Sequence, residues 1–297
     1  MFGLKPPPSP GADWAQKLVF TFCSEVLLVG QSAPVIGNGG ALYGTTQGYE
    51  QDYGTVYALA PPPAGSSGPG DWIQTVLYSF ANGNDGAYPT TGLAIGGNGV
   101  LYGTTPDGGG GDGGTVFSVN PPESPGGSWT EAVVHSFAGS PDGVEPGPVT
   151  IGSDGVLYGI TGFGGTGRCS SYNELGCGII FSLAPPATAG GTWTETILHD
   201  FNGVSDRYWN GVTIGRHGVL YGTTNDGGAN GAGSIVSLTP PASPGGAWTE
   251  RLLYSFSCGD DGCNPAGILA AGADGILYGA TVGGGASRSG TVFSFAP

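Results

Sequence analysis

Basic residues are scarce in this chain. Seven Lys and Arg stand against 22 Asp and Glu, a formal charge of −15 over 297 residues. Binding to a phosphate backbone needs clustered cations, so nucleic acid is excluded as a partner, and an anionic membrane surface is disfavoured on the same ground. Long apolar runs are missing too. The longest, Leu18 to Val29, is interrupted by Cys23, Ser24 and Glu25 and is too short to span a bilayer. The segment from Met1 to Pro6 has neither the basic nor the apolar region of an export signal, so a secreted chain would be numbered from after its signal. Charged residues make up only 10% of the chain and hydrophobic ones 38%, too apolar for a solvated disordered coil.

Glycine (62) and proline (24) are abundant instead. In an ordered chain this means many turns, where Gly supplies positive φ and Pro punctuates strands. Five cysteines complete the unusual composition. Cys258 and Cys263 bracket a Gly-Asp-Asp-Gly turn, and Cys169 and Cys177 bracket one loop. Two local disulfides are expected from these pairs, with Cys23 left over, and they favour an oxidising, extracellular compartment.

Self-similarity decides the fold. Leu-Tyr-Gly recurs at Leu42, Leu101, Leu157, Leu220 and Leu277, with spacings of 59, 56, 63 and 57 residues. A Trp-led strand ending in Phe recurs from Trp14, Trp72, Trp129, Trp193 and Trp248, and a Gly-led strand ending at Pro from Gly54, Gly114, Gly178, Gly233 and Gly290. Each unit reads as four short strands, A to D: a small apolar strand such as Leu93-Ala94-Ile95, the Leu-Tyr-Gly-Thr-Thr strand, the Gly-Thr-Val-Phe-Ser strand and the Trp-led strand. No stretch has helical periodicity. Four antiparallel strands in five copies predict an all-β chain folded as a single five-bladed β-propeller over residues 1–297. The chain opens with a D strand and closes with A, B and C, so the N-terminal strand is expected to close the last blade. Phe2-Gly3-Leu4-Lys5-Pro6-Pro7 resembles a further C strand, which either is a vestige or displaces Phe293-Ser294-Phe295.

Units such as Leu101-Tyr102-Gly103-Thr104-Thr105 followed by Gly114-Thr115-Val116-Phe117 resemble the GloVer tandem repeats of predicted secreted or surface-anchored bacterial proteins. The resemblance implies a propeller outside the cell. It implies no catalytic residues.

In a propeller the D–A and B–C loops share one face. Here that face gathers acidic groups and non-repeating aromatics. Candidate ligand-binding residues are Asp85, Tyr88, Asp142, Glu145, Asp206, Tyr208, Trp209, Asp261 and Asn264. Aromatic rings stack on the C–H face of a pyranose while carboxylates and amides orient its hydroxyls, so the expected partner is an oligo- or polysaccharide. Trp209 stands out as the one Trp outside the five periodic positions. The Asp residues are equally suited to forming turns. The alternatives are a glycoside hydrolase pairing Glu145 with Asp206 or Asp261, and a structural or adhesive surface module. No nucleophile elbow, zinc-protease or phosphate-loop motif occurs. His135 and His199 replace Tyr78 and Tyr254 at equivalent D-strand positions and read as scaffold, and His217 lies in an A–B turn on the opposite face. No cofactor is expected. The Gly/Asp loops around Asp107, Asp112 and Asp226 offer hard oxygen ligands for Ca2+, although without EF-hand spacing. A monomer is expected.

Overall fold

The computed structural model describes residues 2–5, 15–18, 20, 33–48, 52–63, 71–124, 126–167, 176–188, 190–202, 209–243 and 245–297. The chain is an all-β, five-bladed propeller. At the N-terminus β1 (Phe2–Lys5) pairs with β2 (Ala15–Leu18). Blade 1 contains β3 (Val35–Ile36), β4 (Leu42–Thr46), β5 (Thr55–Ala60) and β6 (Ile73–Ser79). Blade 2 contains β7 (Ala94–Ile95), β8 (Leu101–Thr105), β9 (Thr115–Asn120) and β10 (Thr130–Ser136). In blade 3, β11 (Val144–Pro146) and β12 (Thr150–Ile151) both pair with β13 (Leu157–Phe163), followed by β14 (Ile179–Ala184) and β15 (Thr194–Asp200). Blade 4 contains β16 (Thr213–Ile214), β17 (Leu220–Thr224), β18 (Ser234–Thr239) and β19 (Thr249–Ser255). Blade 5 contains β20 (Cys263–Ala271), β21 (Leu277–Gly283) and β22 (Thr291–Phe295). No described helix is long and apolar enough to cross a membrane.

Strand order in every blade follows the chain, A to D, as the repeat predicts. The ends differ from the expected closure. The N-terminal D strand, β2, takes β1 as its partner, with Leu4 opposite Gln16 as Val119 is opposite Glu131 in blade 2. Phe2–Lys5 is therefore a C strand paired with its own D strand. It does not displace β22, which stays paired with β21. The described sheet of blade 5 has three strands.

The core lies between blades, in four clusters that each join one blade to the next. The Phe that ends a D strand sets its edge against the C-strand Phe of the following blade: Phe80 on Phe117 at 5.0 Å, Phe137 on Phe181 at 5.2 Å and Phe256 on Phe293 at 5.1 Å between centroids. Such edge-to-face pairs contribute about 1 kcal/mol each beyond the area they bury. The glycine of Leu-Tyr-Gly makes this possible. A Cβ on Gly103 would collide with the Phe117 and Leu93 side chains, so the ring approaches bare backbone closely.

In blades 1 to 4 each D strand carries a β-bulge opposite its C strand, for example between Val133 and His135. The extra residue (Leu77, Val134, Leu198, Leu253) packs against an inter-blade cluster. The shift turns the next side chain (Tyr78, His135, His199, Tyr254) towards the loop that enters the following blade. Sequence alternation broken by one residue thus sets the geometry of the loop face.

Candidate functional site

The D–A loops are built on a repeated aspartate seven residues after the bulge-directed side chain. Asp85 accepts hydrogen bonds from Tyr78 Oη (2.9 Å), Ala81 N (2.8 Å) and Gly83 N (3.0 Å). Asp142 lies 3.0 Å from His135 Nε2 and accepts from Ala138 N at 2.8 Å. Asp261 accepts from Tyr254 Oη (3.0 Å), Ser257 N (2.9 Å) and Ser257 Oγ (2.6 Å). These three carboxylates are occupied in shaping their own loops. Asp206, which holds the same place after His199, and Tyr208 lie outside the described residues.

A glutamate from the next D strand completes the arrangement at interior blade interfaces. Glu195 Oε1 lies 4.0 Å from His135 Nε2, and Glu250 Oε2 lies 4.0 Å from His199 Nε2. Desolvation, with the Asp85 charge added, pushes the Glu131 carboxyl up to about 7. Desolvation raises Glu195 to about 7 as well, helped by its hydrogen bond to Asp142 and opposed by His135. Burial would raise Asp142, but hydrogen bonds from His135, Glu195 and Ala138 hold it below its ordinary value. Burial would lower His135, and the Asp142 hydrogen bond with the charges of Asp142 and Glu195 reverses the direction. The glutamates were not among the sequence candidates. Their signal is present in Trp-Thr-Glu at Trp129, Trp193 and Trp248, where alternation alone reads them as the wet side of an outer strand.

Above this layer, three side chains stand at one equivalent position. Tyr88, Glu145 and Asn264 each precede a proline, and each adopts positive φ (58°, 54° and 54°). Their backbone N–H groups bond to the preceding B–C loop: Tyr88 to Tyr53 O (2.8 Å), Glu145 to Gly113 O (2.9 Å) and Asn264 to Ala232 O (2.8 Å). Left-handed backbone is uncommon for Tyr and Glu and has to be imposed by its surroundings. Tyr88 packs edge-on against Tyr53 at 5.7 Å, Glu145 is exposed, and Asn264 Nδ2 donates to Asn225 O at 3.0 Å.

Trp209 does not belong to this layer. It is 0% exposed, its Nε1 donates to Glu250 Oε1 at 3.2 Å, and it packs in the cluster joining blades 3 and 4. Its role as a sugar platform is therefore corrected to a core role, and the reason is local. The ring over the Leu-Tyr-Gly glycine comes from Tyr57, Phe117, Phe181 and Phe293 in the other blades, whereas blade 4 has Val236 there and Trp209 covers Gly222 instead. Val236 is the sequence signal that marks Trp209 as a replacement for a missing ring.

The expected bridge between Cys258 and Cys263 is also corrected: both are free thiols. A hydrogen bond with Cys258, burial and the charge of Asp261 raise the Cys263 thiol. Cys177 is disulfide-bonded, while Cys169 and Cys23 lie outside the described residues. Among the described residues, Asp107, Asp112 and Asp226 belong to no group of three metal-ligating side chains, and the one such group is His135, Asp142 and Glu195. On the opposite face a cavity of about 470 Å3 opens between blades 4 and 5, lined by Tyr221, Arg216 and His217 among others. The equivalent Tyr43 and Tyr102 are packed by Trp129 and Trp193 of the next D strand. Blade 5 presents no such strand among the described residues.

The chain is similar to solved structures of low identity. A gluconolactonase from Xanthomonas campestris is 14% identical, with 90% of this chain and 75% of that one covered at a TM-score of 0.51. An aldose sugar dehydrogenase from Streptomyces coelicolor (18% identity, 91% and 84% covered) and an α-L-arabinofuranosidase from Lactobacillus brevis (13%, 91% and 91%) have TM-scores of 0.48 and 0.42. No curated protein matches the sequence. A family model described as the Gloeobacter/Verrucomicrobia repeat matches residues 30–243 and 167–297, overlapping spans that take in all five copies of Leu-Tyr-Gly. By that match the chain belongs to the Gloeobacter/Verrucomicrobia repeat family.

Proposed function

We propose that this propeller binds carbohydrate, without chemistry, through the face formed by its D–A and B–C loops. The observation that carries the reading is the equivalent placement of Tyr88, Glu145 and Asn264. The same backbone geometry, fixed by the same inter-blade hydrogen bond, presents an aromatic ring, a carboxylate and an amide. Those are the three side-chain chemistries that stack on and orient a sugar. The gluconolactonase that shares the fold acts on a sugar lactone, a likeness of fold alone. Similar positions in successive blades favour several weak sites acting together on a polymer. A disulfide at Cys177 is in keeping with a secreted protein.

The test is depletion of the protein from solution by a panel of insoluble polysaccharides, with released reducing ends measured in the same tubes. Depletion without new ends, reduced at least about tenfold by Tyr88→Ala (a loss of about 1.4 kcal/mol) at unchanged melting temperature, is the expected result. New reducing ends that vanish in Glu145→Gln would replace this reading with a hydrolase. Absence of depletion across the panel would refute carbohydrate binding.

A further inference from the structure

The blade 2–blade 3 interface differs in chemistry from the interface before it. At the preceding interface the bulge-directed residue is Tyr78, a phenol that donates to Asp85. Here it is His135, whose Nε2 lies 3.0 Å from Asp142 Oδ1 and 4.0 Å from Glu195 Oε1, and the three ligand atoms all fall within 4.8 Å of one another. Bonds of about 2.0–2.2 Å to a tetrahedral ion place its ligands about 3.3–3.6 Å apart, so small side-chain adjustments close this set around one ion. The ligands come from β10, the loop after it and β15, so their backbones are fixed by two different sheets.

A second observation points the same way. With both carboxylates ionised, Glu195 Oε1 is buried without a hydrogen-bond donor, although it faces the imidazole and a second carboxylate. Burying an acceptor without a partner is costly, and a cation between the groups removes that cost. Glu131 Oε1 is equally unpartnered, but its interface offers Tyr78 where this one has an imidazole. A neutral phenol is a poor ligand for a divalent ion, and burial together with the Asp85 hydrogen bond raises Tyr78 further.

We propose that His135, Asp142 and Glu195 form a binding site for a divalent transition metal of the Zn2+ type, with a fourth position open to water, bracing blade 2 against blade 3. One imidazole and two carboxylates suit a borderline ion. Ca2+, which takes six to eight oxygen ligands, is poorly served. The site is separate from the layer of Tyr88, Glu145 and Asn264 and does not depend on carbohydrate binding.

The repeat supplies a conservative test variant. His135→Tyr installs the residue found naturally at positions 78 and 254, where it bonds to the equivalent aspartate. Chelator-treated full-length protein is titrated with Zn2+ by calorimetry, and the melting temperature is followed with and without the ion. The expected result is that His135→Tyr binds one equivalent fewer than the wild type, loses part of the Zn2+-dependent rise in melting temperature, and keeps the wild-type circular dichroism spectrum. Millimolar Ca2+ should leave the wild-type titration unchanged. Equal Zn2+ stoichiometry in the two proteins, or displacement of this equivalent by Ca2+, overturns the proposal. Should His135→Tyr fail to fold, Glu195→Gln, which keeps the shape and removes one anionic ligand, is held to the same criterion.

Discussion

The pentapeptide Gly-Thr-Val-Phe-Ser occurs in blade 2 at 114–118 and in blade 5 at 290–294, in the same strand of the same repeat. In blade 2 all five residues are buried, and Val116 packs with Phe137, Val149, Leu157 and Phe181 of the next interface. In blade 5 Val292 is 84% exposed, although Phe293 on the other face still packs against Phe256 of blade 4. Local sequence determines the strand and its alternation, but the burial of one whole face comes from the neighbouring blade. Identical residues are core in one place and surface in the other.

The largest expected effect tests this contrast directly. Val116→Asp puts an ionisable group into a closed inter-blade cluster and should destabilise the protein by about 5 kcal/mol. Val292→Asp, the same change in the same pentapeptide, should fall within about 0.5 kcal/mol of the parent. Urea denaturation measures both, and comparable losses would show that the blade 5 face is covered in solution. Next comes blade 4 against the rest. Trp209→Ala should cost about 4 kcal/mol by opening a cavity over Gly222, and Val236→Phe in the same chain should restore a large part of it, because that position carries the ring in the other blades. No recovery would mean that Trp209 is not a substitute for the C-strand aromatic.

The smallest expected effect concerns pH. Glu131 and Glu195 bind their protons more tightly in the folded protein (about 7) than a free carboxyl does. The folded state therefore holds more protons than the unfolded state between about pH 4.5 and 7. Their contribution is full below the unfolded value and is lost as pH rises through the folded one, amounting to about 1–2 kcal/mol per group for half-buried carboxyls. The melting temperature of chelator-treated protein should fall from pH 5 to pH 7.5, and Glu131→Gln with Glu195→Gln should flatten that fall. A slope unchanged in the double variant would assign the dependence to other groups.

Much of this structure was legible from the repeat. Leu-Tyr-Gly, the Gly-led strand and the Trp-led strand each report a position where only one kind of packing works: a bare glycine under a ring, or a tyrosine against the next tryptophan. The non-periodicity of Trp209 suggests exposure from sequence alone, but it marks a repair for Val236. Strand alternation places Glu195 outward, and only contact with the preceding blade, whose His135 lies sixty residues earlier in sequence, buries it. The pairing of β1 with β2 was open for a different reason: two strand edges, those of β1 and β22, suit the same D strand, and sequence pattern does not rank them.

The four clusters that join consecutive blades also fix the places where the molecule comes apart first. Among the described residues each interior blade is held by two such contacts and blades 1 and 5 by one each, so the free energy of opening is a sum of nearest-neighbour terms that runs short at both ends. Amide protection should decay from blade 3 towards both terminal blades, with partial unfolding advancing inwards from the two edges blade by blade. A chain whose repeats are almost interchangeable in sequence is therefore graded in local stability by position alone.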